Sequence, residues 1–249
     1  RQQVLWVPDD AFYYFIIAGN RASLGAWTFD GENPTTGFQP AYAWLLAAAA
    51  MAFDLDREAI AWLGAAIGIL CLLLSGLFIK KSASFFFSNE QAWLIAGLWL
   101  VTPYNFKTTA TRMESPLVLA AAPAVLYCWL ALNREGGARR AALLATACAA
   151  AVLCRADMLF MAGALVFCGL FLPARCWSES GRREWARHAP WLVPLVGAAL
   201  GLAAGAFFCW SITGKFSPDS ARMKIFWASY AHGTGVAMLK IKWERFAWQ

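Results

Sequence analysis

Long apolar runs separated by short polar segments are the main pattern along this chain. The runs are Ala59–Ile79, Gln91–Phe106, Pro116–Leu132, Ala141–Cys154, Met158–Pro173 and Ala189–Trp210. A helix needs roughly 17–25 mainly apolar residues to cross a bilayer. The pattern therefore predicts an all-α fold, a polytopic bundle of transmembrane helices.

The composition supports a membrane protein and argues against other classes. Hydrophobic residues make up 60% of the chain and charged residues 14%, which lies outside the usual range of a soluble domain. The seven cysteines form no CxxC motif, which argues against a disulfide framework or a zinc knuckle. The net charge of +6 is dispersed between the spans, so membrane orientation and lipid phosphate explain it better than nucleic acid.

Two arginine-rich loops set the expected orientation. The loops Asn133–Arg140 and Ala174–His188 should face the cytoplasm, because cytoplasmic loops carry an excess of lysine and arginine. Because each predicted span reverses the side of the membrane, the segments one span away from these loops lie on the outer face. They are the Arg112–Ser115 loop, the Cys154–Asp157 turn and the Ser211–Lys224 segment.

Asp9 and Asp54–Glu58 are both expected on the outer face. A single membrane crossing by the segment between them would place them on opposite faces. The apolar run Tyr42–Phe53 is short for a crossing at about 1.5 Å per residue. It should dip and return or lie in the interface; the alternative is that it crosses and another span is misplaced.

Cations after Trp210 break the positive-inside rule locally. Lys215, Arg222 and Lys224 fall on the expected outer face, where ammonium and guanidinium groups could neutralise a lipid-linked phosphate or pyrophosphate. The alternative is a solvated basic face attracted to lipid headgroups.

Acidic residues provide the other candidate chemistry. Asp9 and Asp10 begin an aromatic helical pattern, where one acid could cap the helix and the other complement its dipole. Neighbouring carboxylates also repel each other, which raises the pKa of one and prepares it to accept a proton. Glu114 opens an apolar span and also suits a helix dipole, whereas Arg155 and Asp157 either serve a site or pair with each other.

Four segments in order resemble the bacterial polyprenyl-phosphate-dependent glycosyltransferases of the C-type superfamily, which includes protein mannosyltransferases, aminoarabinose transferases and arabinofuranosyltransferases. The stretch "DDAFYYFIIAGNRASLGAWTFDGENPTTGFQPAYAWLL" is similar to the first outer loop of that family. "RMESPL", "CRADMLF" and "TGKFSPDSARMK" resemble its later motifs.

The resemblance implies a membrane enzyme whose active site opens to the outer face. An acid of the Asp9–Asp10 pair would be the general base, and sugar transfer from a polyprenyl-phosphate donor would invert the anomeric centre. Lys215, Arg222 and Lys224 would stabilise the departing phosphate. Glu114, Arg155 and Asp157 are assigned to substrate binding through their matching motifs.

The resemblance also sets the expected domain organisation and setting. We expect a single transmembrane domain over residues 1–249, with an outer loop and juxtamembrane helix at 1–38, transmembrane helices at 39–210 and an outer-face segment at 211–249. The chain is expected to be part of a longer protein in the bacterial inner membrane, with its active site on the periplasmic or extracellular face. Its expected partners are a lipid-linked sugar donor, a glycan, lipid or protein acceptor, and membrane lipid.

Other classes of function stay open at this stage. A transporter or channel subunit would also carry charges near its spans, and a non-catalytic scaffold could keep the same fold. The sequence holds only two histidines, so no histidine cluster can bind a metal. A divalent cation held by carboxylates is compatible with the sequence, which does not require one.

Overall fold

A computed structural model describes residues 9–171 and 192–219, and the regular elements within these two ranges are α-helices. They are α1 (Asp9–Leu24), α2 (Pro40–Phe53), α3 (Arg57–Ala83), α4 (Asn89–Leu100), α5 (Pro103–Ala110), α6 (Ser115–Glu135), α7 (Ala138–Cys154), α8 (Met158–Phe171) and α9 (Val193–Thr213). The predicted all-α fold is confirmed for these residues.

Three of the described helices are long and apolar enough to cross a membrane, namely α3, α6 and α9. The apolar helices α2 and α8 are shorter. The start of α3 is fixed by Asp56, whose carboxylate accepts a hydrogen bond from the Ala59 amide at 2.7 Å. Its last turn carries Lys80 and Lys81, where cations complement the helix dipole.

The predicted span Gln91–Phe106 is broken into α4 and α5. Pro103 has no amide hydrogen and disfavours a helical backbone at the preceding Thr102, which adopts an extended conformation (φ −63°, ψ 123°). The proline cannot donate to the Trp99 carbonyl four residues earlier. The Asn105 side-chain amide donates to that carbonyl at 2.6 Å instead.

Helices α7 and α9 approach each other closely through small residues. A β-carbon added to Gly197 would lie 2.3 Å from the Ala145 carbonyl oxygen, and one added to Gly201 would lie 2.6 Å from that of Ala149. These glycines therefore allow the two backbones to pack at a distance that larger side chains would prevent.

Both ends of α2 lie at one end of the bundle. Near its start, the Tyr42 hydroxyl donates to the Arg112 carbonyl at 2.8 Å. The Arg112 guanidinium in turn lies 5.0 Å from the Trp62 ring centroid in the second turn of α3, the helix that follows α2 after a short turn. Whether Tyr42–Phe53 dips and returns, lies in the interface or crosses the membrane stays a prediction.

We call this end the upper end of the bundle. It is defined by the start of α3, the loop Arg112–Ser115 between α5 and α6, the turn Cys154–Asp157 between α7 and α8, and the end of α9. Arg139 lies in the first turn of α7, at the opposite end from that turn.

The membrane orientation can be tested by accessibility labelling. In a full-length variant without native cysteines, Asp157→Cys and Lys215→Cys should react with an impermeant reagent from outside, since both side chains are exposed at the upper end. Arg139→Cys should react only after permeabilisation. Labelling of Arg139→Cys and Asp157→Cys from the same side would contradict the predicted topology. Arg183 is also predicted to face the cytoplasm, but it lies outside the described residues.

Candidate active site at the upper end

The first turn of α1 holds the predicted acidic pair. Asp9 begins the helix, and Asp10 follows with an exposed side chain. Residues three and four positions apart are neighbours on a helix face, so Asp10 lies one turn from Tyr13 and Tyr14. The acidic pair therefore lies at the start of α1, one turn before two tyrosine side chains on the same face of the helix.

A buried polar cluster, formed by Tyr14, Tyr42 and Glu114, lies beside that aromatic turn. The Tyr14 hydroxyl accepts a hydrogen bond from the Gln39 amide at 3.1 Å, and its ring packs edge-on against Tyr42 at 5.1 Å between centroids. Burial, and then the neighbouring Glu114 carboxylate, raise the pKa of Tyr14 above its ordinary value. Tyr14 therefore stays protonated at neutral pH, beside an acidic side chain.

Glu114 has an unsatisfied carboxylate oxygen. Its side chain is only 8% exposed, and its Oε2 atom has no hydrogen-bond partner within residues 9–171 and 192–219. Glu114 occupies the N-cap position of α6 but makes no side-chain cap hydrogen bond. Because buried polar atoms are nearly always paired, the unpaired oxygen distinguishes Glu114 from an ordinary helix-capping residue.

Arg112 and Gly64 lie next to Tyr42 at the edge of this cluster. Arg112 is 9% exposed and has a positive φ of 53°, an uncommon conformation for a residue with a side chain. A β-carbon on Gly64 would lie 2.8 Å from the Tyr42 hydroxyl and 3.3 Å from the Phe15 ring. The glycine therefore leaves the space in which Tyr42 reaches the Arg112 carbonyl.

Substituting this glycine should loosen the cluster. Gly64→Ala is expected to lower stability by about 1–3 kcal/mol, the usual range for overpacking, because Tyr42 must move away from Arg112. Gly97 in α4 provides a matched control, since a β-carbon there meets nothing within 4 Å. Thermal unfolding in detergent should separate the two variants, and equal midpoints would contradict the packing described here.

The loop between α1 and α2, here the first loop, is hydrogen-bonded to the segment that follows α9. The Thr36 amide and hydroxyl both donate to the Asp219 carboxylate at 3.1 Å, and the Asp219 amide donates back to the Thr36 hydroxyl at 3.3 Å. Trp27 and Phe38 pack on Phe208 of α9, with ring centroids 5.5 and 5.9 Å away. Two distant parts of the sequence thus form one surface.

An apolar groove of about 360 Å³, here the first groove, opens beside this surface. Its walls come from α2, α7, α9 and the segment after α9, and include Pro40, Val152, Gly205, Cys209, Phe216 and Pro218. Lys215 is exposed and lies between the left-handed C-cap Gly214 (φ 70°) and Phe216. This predicted cation is therefore next in sequence to a residue that lines the groove, although it does not line the groove itself. Arg222 and Lys224 lie outside the described residues.

Arg155 and Asp157 pair with each other. The Arg155 guanidinium donates to the Asp157 carboxylate at 2.7 Å, and their side chains are 39% and 50% exposed. This is the ion pair that the sequence left as an alternative to a site role. An exposed pair contributes only about 0–1 kcal/mol, so stability alone gives little reason for these charges.

Sequence reasoning missed several members of this site. Tyr14 and Gln39 were within a recognised segment but had no assigned role, and Asp219 was passed over in the same way. No cluster of three or more histidine, cysteine, aspartate or glutamate side chains suited to a metal ion is found in the described part of the chain.

Comparison with known families gives a match over most of the chain. The sequence model of the dolichyl-phosphate-mannose-protein mannosyltransferase family matches residues 33–210, from the first loop to the last turn of α9. The acidic pair of α1 precedes the matched range. No curated protein and no solved structure matches the chain.

Proposed function

The chain belongs to the dolichyl-phosphate-mannose-protein mannosyltransferase family, and we propose that it transfers a sugar from a polyprenyl-phosphate donor to an acceptor hydroxyl. Family membership makes it an integral membrane protein of the glycosyltransferase type. The donor, the inversion of the sugar, the aspartate base and an active site on the outer face of a bacterial inner membrane are our proposal.

One observation carries the proposal. Glu114 is buried with an unpaired oxygen beside Tyr14, and Tyr14 lies one helical turn from the Asp9–Asp10 pair. A reaction that binds a sugar and removes a proton needs polar groups of this kind, held together and partly shielded from water.

Asp10 is the proposed general base. It takes the proton from the acceptor hydroxyl as the hydroxyl oxygen attacks the anomeric carbon. The bond between that carbon and the phosphate oxygen breaks, and the polyprenyl phosphate leaves with the bonding electrons. A single displacement inverts the anomeric centre and needs no covalent enzyme intermediate.

Cations and polar groups complete the proposed site. Lys215, with Arg222 and Lys224, neutralises the charge that develops on the departing phosphate. Glu114 contributes to substrate binding beside Tyr14, and Arg155 with Asp157 contributes to it at the same end of the bundle.

The first groove is the proposed site of the donor's lipid chain. Its walls are mainly apolar, and glycine and alanine residues of α9 leave room along it. A chain lying there would have its phosphate near Lys215 at the mouth. The acceptor, whether glycan, lipid or protein, would approach from the side of the acidic pair.

Sugar transfer by the purified full-length protein tests the function. A radiolabelled polyprenyl-phosphate sugar should lose its label to an acceptor, and the product should have the opposite anomeric configuration to the donor. Uptake of solute by proteoliposomes without transfer would favour a transporter, and neither activity would favour a scaffold.

A further inference from the structure

A second groove, of about 420 Å³, opens between α4, α5 and α6. It lies against the Cys154–Asp157 turn, because Arg155 lines the second groove whereas the adjacent Ala156 lines the first. The proposed function uses the first groove for the donor chain, which leaves the second groove without an occupant.

One end of the second groove is polar and basic. Lys107, in the last turn of α5, and Arg155 both line it. The hydroxyl-bearing side chains of Thr108, Thr111 and Ser115 lie at the same end. Arg155 uses one guanidinium nitrogen for Asp157, and Lys107 makes no hydrogen bond or ion pair with the described residues.

The other end of the groove is apolar. It is lined by Trp99 of α4 and by Val118, Leu119, Ala122 and Pro123 of α6. The wall is well fixed, because the Trp99 indole donates to the Ser75 hydroxyl at 2.9 Å. Together the two ends form a site for a molecule with an anionic head and a hydrocarbon tail.

We propose that the second groove binds an anionic membrane phospholipid, with its phosphate between Lys107 and Arg155 and an acyl chain along Val118–Pro123. A soluble phosphate would leave the apolar wall uncovered. Ammonium and guanidinium groups together with hydroxyl groups are the donors that phosphate oxygens require. The proposal concerns a different groove from that of the donor chain and a lipid that is not consumed, and it shares only Arg155 with the proposed substrate-binding residues.

Lipid retention by the full-length protein tests this site. Protein reconstituted with phosphatidylglycerol and phosphatidylcholine of the same acyl chains should keep phosphatidylglycerol preferentially after extraction, as measured by native mass spectrometry. Each cation near an anionic headgroup is worth about five-fold in binding. The double variant Lys107→Ala/Arg155→Ala should therefore bind phosphatidylglycerol about thirty-fold more weakly.

Two further variants make the result specific to the groove. Lys80→Ala removes a cation at the opposite end of the bundle, 5.3 Å from the Trp93 ring, and should leave the preference unchanged. Ala122→Trp should fill the apolar half of the groove and reduce binding while both cations stay in place. Equal retention of the two lipids by the wild-type protein, an equal loss in Lys80→Ala, or unchanged binding in Ala122→Trp would each overturn the proposal.

The readout separates this proposal from the proposed function. Lipid retention is measured without a sugar donor, so an inactive protein can still show it. Conversely, an active transferase that retains both lipids equally would overturn only the phospholipid site.

Discussion

Replacing Asp10 with Asn is expected to slow sugar transfer by about 10²–10⁴-fold, the usual contribution of a general base, while the protein folds and inserts normally. An amide cannot take the proton of the acceptor hydroxyl. The Asp10 side chain is exposed in the first turn of α1, so the structural cost is limited to a charge–dipole interaction of about 0.3–1 kcal/mol.

The matched variant is Asp9→Asn, one residue earlier in the same turn. Asn caps a helix about as well as Asp, so a purely structural role predicts near-normal transfer for both variants. We expect the larger loss at Asp10. Normal turnover by both variants, measured with saturating donor, would rule out the base proposed here.

Replacing Lys215 with Ala should impair use of the lipid-phosphate donor by roughly 10²–10³-fold in rate, the typical effect of losing a contact to a developing anion. Lys215 is exposed and precedes Phe216, which lines the first groove. Lys224→Ala should act in the same direction, and we expect its effect to be the larger.

A lysine elsewhere provides the control for this second experiment. Lys81→Ala removes an ammonium group that lies 5.5 Å from the Tyr127 ring, at the end of α3 away from the site, and should not change donor kinetics. If Lys215→Ala and Lys224→Ala both match the wild-type protein, these cations only contact the membrane interface.

The helices were largely predictable because each depends on nearby residues. The apolar run Pro116–Leu132 lies within α6, and Ala59–Ile79 lies within α3, since length and hydropathy are local properties. The break at Thr102 was also encoded locally, by Pro103, but its effect was underestimated because the flanking residues are apolar on both sides.

The candidate site was only partly predictable. Asp10, Glu114 and Lys215 stood out as charges at the ends of apolar runs, where ionisable groups are costly. The nearness of Glu114 to Tyr14 depends on how α1 packs against the start of α6. No local pattern specifies that packing, because it follows from side chains on several helices filling one shared space.

The hydrogen bonds between Thr36 and Asp219 join residues 183 positions apart in the chain. Long separations delay contact formation, because the intervening chain must be ordered first. During synthesis the first loop emerges early, but its partner arrives only after α9 has been made and inserted. The first loop therefore lacks its Asp219 partner while α3 to α9 are inserted. A truncated product that ends within α9 would insert into the membrane without these hydrogen bonds.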